Sequence, residues 1–257
     1  MLSKKELERY ARQLILKELG RAGQEKLKRS HTVVIGCGAT GSIIANNLAR
    51  AGMGRLTLVD RDVVNLDNLH RQTLYTENDL GKPKPTVAKK MLEAANPSIK
   101  ISPRFIDCDS SNIESLIGSA DVVCDGTDNM ETRYAINDAC VKHGIPWVYV
   151  GAVATHGMTM PVMPGKTACL RCVFPLPPRS GTLPTSETVG IIGMMPAIIG
   201  SMGSVSAVKI LIGGPDTVKP EMTIYDCWSN EFTKVIVKRN RKCRCCSGRH
   251  FDFLQPQ

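Results

Sequence analysis

A chain of 257 residues, 42% apolar and 22% charged, can bury one large core and falls outside the disordered, collagenous and coiled-coil classes. Its formal charge of +9 is spread along the sequence rather than gathered in one tail, which favours phosphate-bearing ligands or an acidic partner. No secretion signal and no 18-residue apolar run is read at the start or elsewhere. With ten cysteines and no such signal, metal ligation and free thiols are favoured over disulfides, and a cytoplasmic location is expected.

Residues 3–19 read as one helix, with Leu7, Ala11, Leu14 and Ile15 on a shared face and Arg9 and Arg12 off it. A short amphipathic piece, Gln24 to Lys28, leads to an apolar run, Val33-Val34-Ile35. Then comes Gly36-Cys37-Gly38-Ala39-Thr40-Gly41, a helical pattern, and a second apolar run that ends on Asp60. This is the strand–turn–helix–strand fingerprint of a nucleotide site. Gly36 permits the tight turn, Gly38 lets backbone approach the ligand, and Gly41 lets helix and strand pack closely. Asp60, about 20 residues beyond the loop, is placed to accept hydrogen bonds from ribose hydroxyls.

A long polar connection follows, from Arg61 to Lys84, carrying Asp62, Asn68, His70 and Arg71. Such a loop at the C-terminal edge of a parallel sheet is a place for function, and Arg71 and Lys84 are candidates to meet phosphates opposite the glycine loop. Helix (Pro85 to Ala95), strand (Ile99 to Ile106), helix (Asn112 to Ile117) and strand (Asp121 to Cys124) then alternate. The last of these runs into Asp125-Gly126-Thr127-Asp128-Asn129. A strand-end acid such as Asp128 suits Mg²⁺ beside a triphosphate. Thr127, Asp128 or Asn129 can equally cap the helix from Glu131 to Lys142. A strand over Pro146 to Gly151 completes the half. The alternation predicts an α/β fold with a Rossmann-like, doubly wound, mainly parallel sheet.

The second half changes character. Gly151 to Met163 reads as extended strands. Pro175 to Glu187, rich in Pro, Ser and Thr, reads as a mobile loop. Gly190 to Ile212 reads as a glycine-spotted helix whose Gly193, Gly200 and Gly203 permit close packing, with Met194, Met195 and Met202 as core. Met222 to Cys227 and Phe232 to Val237 form an antiparallel C-terminal hairpin. Cys169-x-x-Cys172 and Cys243-x-x-Cys246 are two CxxC knuckles whose four thiolates suit tetrahedral, structural Zn²⁺, with a redox pair as the alternative. Cys245 is a spare that could replace one of the second pair.

Arg9-Tyr10-Ala11-Arg12-Gln13, the glycine loop, Asp60, Asn68-Leu69-His70-Arg71-Gln72, Lys84, Thr127-Asp128-Asn129 and the two CxxC pairs occur in that order, from about Leu7 to Cys246. Together they resemble the ubiquitin-activating enzyme superfamily. Within it, they are similar to the prokaryotic adenylyltransferases that activate ubiquitin-like sulfur-carrier proteins for molybdopterin or thiamine synthesis. The resemblance implies a single adenylation domain over 1–257, with a helical arm at about 1–30, a nucleotide-binding half at 31–151 and a carrier-binding, zinc-bearing half at 152–257. It implies ATP as the nucleotide. The substrate would be a small carrier ending in Gly-Gly, whose terminal carboxylate attacks the α-phosphorus with release of pyrophosphate. Asp60 would hold the ribose, Asn68, Arg71 and Lys84 the phosphates, and Asp128, with Asn129 beside it, the Mg²⁺ end of the site. Arg12 would reach into the site of a second copy, so a homodimer is implied.

One departure stands out. Family members often carry a cysteine just before the glycine-rich helix, and here Ser186 takes that place, with no cysteine between Cys172 and Cys227. A chain that stops at adenylation is therefore expected. Two other readings remain at this level. One is an NAD(P)-dependent oxidoreductase on the same loop. The other is a non-catalytic, zinc-pinned nucleic-acid module using the basic tail Lys238, Arg239, Arg241, Lys242 and Arg244, which the scarcity of aromatic residues (5%) disfavours.

Overall fold

The computed structural model describes residues 1–179 and 181–254. The N-terminal arm is three helices, α1 (Lys4–Arg9), α2 (Ala11–Leu14) and α3 (Gly20–Arg29), where a single helix over 3–19 was expected. Ser3 and Glu6 close a capping box on α1. The break comes at Tyr10, whose ring is buried and whose hydroxyl accepts a hydrogen bond from Asn96 Nδ2 at 2.8 Å. Anchoring that ring under the arm turns the chain. Ala11, Ile15 and Leu16 are consequently exposed, and the expected apolar stripe is not buried within one chain.

The alternating half follows: β1 (His31–Ile35), α4 (Ala39–Ala51), β2 (Arg55–Asp60), α5 (Lys84–Ala95), β3 (Lys100–Phe105), α6 (Ile113–Ile117), β4 (Val122–Asp125), α7 (Met130–His143) and β5 (Trp147–Val153). Next come β6 (His156–Val162), the short helices α8 (Leu170–Val173) and α9 (Ser186–Val189), the long α10 (Met194–Gly213), and the hairpin β7 (Glu221–Asp226) with β8 (Glu231–Ile236). One eight-stranded sheet has the order β3-β2-β1-β4-β5-β6-β7-β8. Its first five strands are parallel and the last three join antiparallel, as the sequence pattern predicts. The order reverses between β1 and β4, and ligands bind at such a switch point in open α/β sheets.

The sheet is covered on both faces. One core gathers Leu27, Ile44, Leu48, Leu58, Met195 and Ile199 under α4, α5 and α10. The other gathers Ile113, Ile136, Trp147 and Leu170 with the cysteine-rich tail under α6 and α7. By length and composition α10 is apolar enough to cross a membrane, contrary to the expectation that no 18-residue apolar run exists. Its packing is that of a core helix: a Cβ at Gly200 would press on the Thr40 carbonyl and Ile43 of α4, and one at Gly203 would press on Val150 of β5. The glycines expected to allow close packing do so.

Candidate functional site

The glycine loop leaves β1 at Gly36, whose φ of +89° is a left-handed conformation that favours glycine. A Cβ there would strike the backbone of Gly126 at the end of β4, so the two strand ends at the switch point touch. The loop then enters α4 at Gly38, its N-cap, which brings the free N–H groups of a 13-residue helix to the same edge.

Asp60, at the end of β2, is aimed by two backbone amides. Cys37 N donates to Oδ2 at 2.5 Å and Asp62 N to Oδ1 at 2.7 Å. Burial pushes the Asp60 carboxyl up from its usual range, and these two N–H bonds oppose the shift. Tyr75 donates its hydroxyl to the Cys37 carbonyl at 2.7 Å and locks the loop from below. Cys37 is fully buried, and burial raises its thiol well above the ordinary value, which fits a packing residue and not a nucleophile.

The connection after β2 brings Lys84 back to Asp60. Lys84 opens α5, and its ammonium donates to Asp62 Oδ2 at 2.9 Å. Asp62 therefore links Asp60 and Lys84, its backbone N–H on Asp60 and its carboxylate on Lys84. Asn68 is buried. Its side chain is engaged in the turn, accepting from Asn65 N and donating to Asp67. Arg71 lies in the same turn, with Nη1 on the Asp67 carbonyl at 2.6 Å and on His70 Nε2 at 2.7 Å. Gly193, leading into α10, packs on this turn so closely that a Cβ would meet the His70 carbonyl at 2.7 Å.

At the end of β4, Asp125 is fully buried and ion-paired with Arg133 of α7, Nε to Oδ2 at 2.9 Å. Its other oxygen accepts from Thr127 N and Oγ1. Burial drives the Asp125 carboxyl up, and Arg133 and Thr127 pull it back. Arg133 also donates to the carbonyls of Thr127 and Val150. This buried pair shapes the turn that presents Asp128, which is exposed. Asn129 serves as the N-cap of α7, accepting from Thr132 N at 2.9 Å.

Arg12 is not brought to this edge. Its neighbour Gln13 donates to the Ala51 carbonyl at the far end of α4, about 20 Å from the glycine loop by helix rise. Ser186 is the first residue of α9, behind the N-cap Thr185. Tyr75 and Arg133 were not singled out from sequence, and Asp62 and Asp125 were noted there only as members of the polar connection and of the strand-end run. The one available signal was that Asp125 is a charge at the end of an otherwise apolar strand.

The second site lies in the tail. The sulfurs of Cys169, Cys172, Cys243 and Cys246 all fall within 4.8 Å of one another. Cys169 to Cys172 is 3.9 Å, Cys169 to Cys243 is 3.6 Å and Cys172 to Cys246 is 3.4 Å. Four sulfurs around a zinc at ~2.3 Å would stand ~3.8 Å apart, so the quartet fits a tetrahedral Zn²⁺ with no coordination position left over. Asn240 N donates to Cys172 Sγ at 3.4 Å. Cys245 is fully buried, but its sulfur accepts from Asn137 Nδ2 of α7 at 3.3 Å, outside the quartet. Around the cluster Arg171 pairs with buried Asp138 at 2.8 Å and with Asp252 at 2.6 Å, and Arg244 joins Asp252 at 3.0 Å. Arg244 and Arg171 hold the Asp252 carboxyl down to about 2. The tail is thus pinned to α7 and α8.

Known proteins match the chain over most of its length. The sequence profile of the ThiF family matches residues 10–246. The chain is 39% identical over 249 residues to the sulfur carrier protein adenylyltransferase of Thermus thermophilus, covering 95% of this chain and 92% of that one. It is 38% identical over 250 residues to the sulfur carrier protein ThiS adenylyltransferase of Bacillus subtilis, covering 96% and 73%. Among solved structures, E. coli MccB with MccA-N7isoASN superposes with a TM-score of 0.82 at 22% identity, covering 93% of this chain and 74% of that one, a likeness of fold.

Proposed function

The chain belongs to the ThiF family, and from that membership we propose that it is an ATP-dependent adenylyltransferase of a small ubiquitin-like sulfur-carrier protein. The carrier's C-terminal glycine carboxylate attacks the α-phosphorus of ATP, the bond from that phosphorus to the β-phosphate oxygen breaks, and an acyl adenylate and pyrophosphate result. A carboxylate is already a nucleophile. The chain's task is to align two anions and neutralise charge, more than to supply a base.

The observation that carries this reading is the convergence at the β1–β4 switch point. The α4 N-terminus, Asp60, Lys84 and the Asp125–Asp128 turn stand on one sheet edge, with Arg71 in the loop that returns to it. In the proposed roles Asp60 holds the ribose, and Asn68, Arg71, Lys84 and the Gly36–Gly41 loop hold the phosphates. Asp128, with Asn129 fixing the helix start behind it, holds Mg²⁺. Arg12 of a second copy completes the site, since within its own chain it stands at the far end of α4. The zinc quartet is structural. With Ser186 opening α9 and no cysteine between Cys172 and Cys227, the chain ends its work at the adenylate.

The test is carrier-dependent ATP–pyrophosphate exchange with a ubiquitin-like protein ending in Gly-Gly from the same organism. Exchange that requires the carrier and magnesium is expected. No exchange at saturating ATP and carrier, together with NAD binding, would overturn the reading.

A further inference from the structure

Cations occur all along the chain, but their excess over acids does not. Residues 237–250 hold six lysines and arginines and no aspartate or glutamate, six of the nine charges by which the protein is basic. The adenylation chemistry uses none of them. Arg244 is neutralised by Asp252 at 3.0 Å. Lys238, Arg239, Arg241, Lys242 and Arg249 are exposed and meet no carboxylate among the described residues. Arg239 donates instead to the carbonyls of Gly165 at 3.1 Å and Cys246 at 2.6 Å. Arg249 donates to the Lys142 carbonyl at 3.4 Å and lies over the ring of Phe251. Carbonyls orient a guanidinium and leave its charge in place. Four thiolates on a Zn²⁺ would carry a net double negative charge, which balances a minority of these cations.

The cations surround a cavity of about 490 Å³ between the C-terminal end of α7 and the cysteine-rich tail, with Lys142, His143, Arg239, Ser247 and Arg249 in its wall. No carboxylate lines it among the described residues. Glu114, in the wall of an adjoining cavity, pairs with Lys142 at 2.8 Å and with His143, so the unneutralised charge is that of the two arginines. Arg241 and Lys242 add exposed charge on the same tail. This is not the ATP edge. α7 starts beside Asp128, and its 14 residues rise about 20 Å to His143, on the opposite edge of the sheet.

We propose that this tail and the end of α7 form a second anion site, which takes the phosphate backbone of a duplex nucleic acid by charge and not by sequence. Guanidinium forks match phosphate oxygens in geometry as well as charge. A protein partner would be met by an apolar or aromatic centre, and residues 237–250 hold no Phe, Tyr or Trp. Single strands are held by stacking bases on aromatic rings, and the nearest ring, Phe251, is covered by Arg249. A duplex presents densely spaced phosphates and asks for neither feature. The scarcity of aromatic residues, which counts against capture of unpaired bases, does not count against this contact.

The experiment is fluorescence anisotropy of the full, zinc-loaded chain with a labelled RNA duplex of about 20 base pairs, the same sequence as DNA duplex, and one strand alone. Potassium chloride is varied from about 50 to about 200 mM. Both duplexes are expected to bind more tightly than the single strand, with log K falling linearly in log salt; the tighter duplex identifies the source of the phosphates. The double variant Arg241→Gln, Lys242→Gln should lower the slope by about 2 and weaken duplex binding about 50-fold near 100 mM salt. Removing two exposed cations from α5 and β3, Lys90→Gln with Lys100→Gln, should leave slope and affinity as in wild type. Zinc content and carrier-dependent pyrophosphate exchange should be unchanged in both double variants. No duplex binding at the lowest salt overturns the proposal, as does an unchanged slope in the tail variant or tighter binding of the single strand. Without duplex binding, tail-dependent capture of phosphatidylserine vesicles or of the carrier assigns the cluster to that partner and overturns it as well.

Discussion

The Lys84 ammonium lies 2.9 Å from the Asp62 carboxylate, yet the two side chains occupy different media, 5% and 54% exposed. A buried cation held by a half-solvated anion is easily handed to a stronger partner, and a phosphate is one. Removing the ammonium leaves Asp62 partly in water, so the fold should tolerate it. Lys84→Met is expected to lower carrier-dependent pyrophosphate exchange by about 10–100-fold, the equivalent of the ~1.5–3 kcal/mol of a hydrogen bond to a charged group. Its urea midpoint should stay near that of wild type. Wild-type exchange rates would remove Lys84 from the site.

Asp125 and Arg133 present the opposite case, since both partners are buried. Asp125→Ala strands a guanidinium under α7 and should cost about 3–5 kcal/mol in urea unfolding. Asp125→Asn, which keeps a carbonyl for Thr127, should cost less. A change under 1 kcal/mol for the alanine variant would mean that solvent reaches Arg133.

Asp128 and Arg71 make no ion pair among the described residues. Asp128→Ala and Arg71→Ala should change stability by no more than about 0.5 kcal/mol, while adenylate formation, followed as carrier–AMP by mass spectrometry, is abolished. Normal turnover in either variant would show that its role here is wrong.

Metal content should follow the geometry of the tail. Wild type and Cys245→Ser should each carry one zinc per chain by elemental analysis, and Cys243→Ser should not retain it. Stripping the metal with a chelator should lower the melting temperature and open residues 237–254 to protease. A Cys245→Ser protein that loses zinc would put the wrong sulfur in the quartet.

Arg12 can be tested by mixing. Arg12→Ala and Asp128→Ala are each expected to be inactive. Random reassortment into dimers leaves one intact site in every mixed pair, so about a quarter of wild-type activity should return. No recovery after exchange of subunits would place Arg12 outside any shared site.

Several features of this protein were legible from sequence alone. The glycine loop, the acid that ends β2, the β/α alternation and the two CxxC pairs are local patterns, set by strand and helix period, turn stereochemistry and thiolate chemistry. Each reports what a short stretch can do wherever it lies. The tertiary structure decided the rest. It broke the expected N-terminal helix at Tyr10, because that ring is buried against Asn96. It excluded Cys245 from the quartet by turning its sulfur to Asn137. It chose Asn129 among three candidates as the helix cap and set Arg12 at the far end of α4 from its own chain's glycine loop. It also singled out Asp62 and Arg133 among many similar polar residues. Local pattern cannot rank these residues, since their importance comes from burial and pairing across long stretches of chain, and a buried charge or amide is costly unless the whole fold supplies its partner.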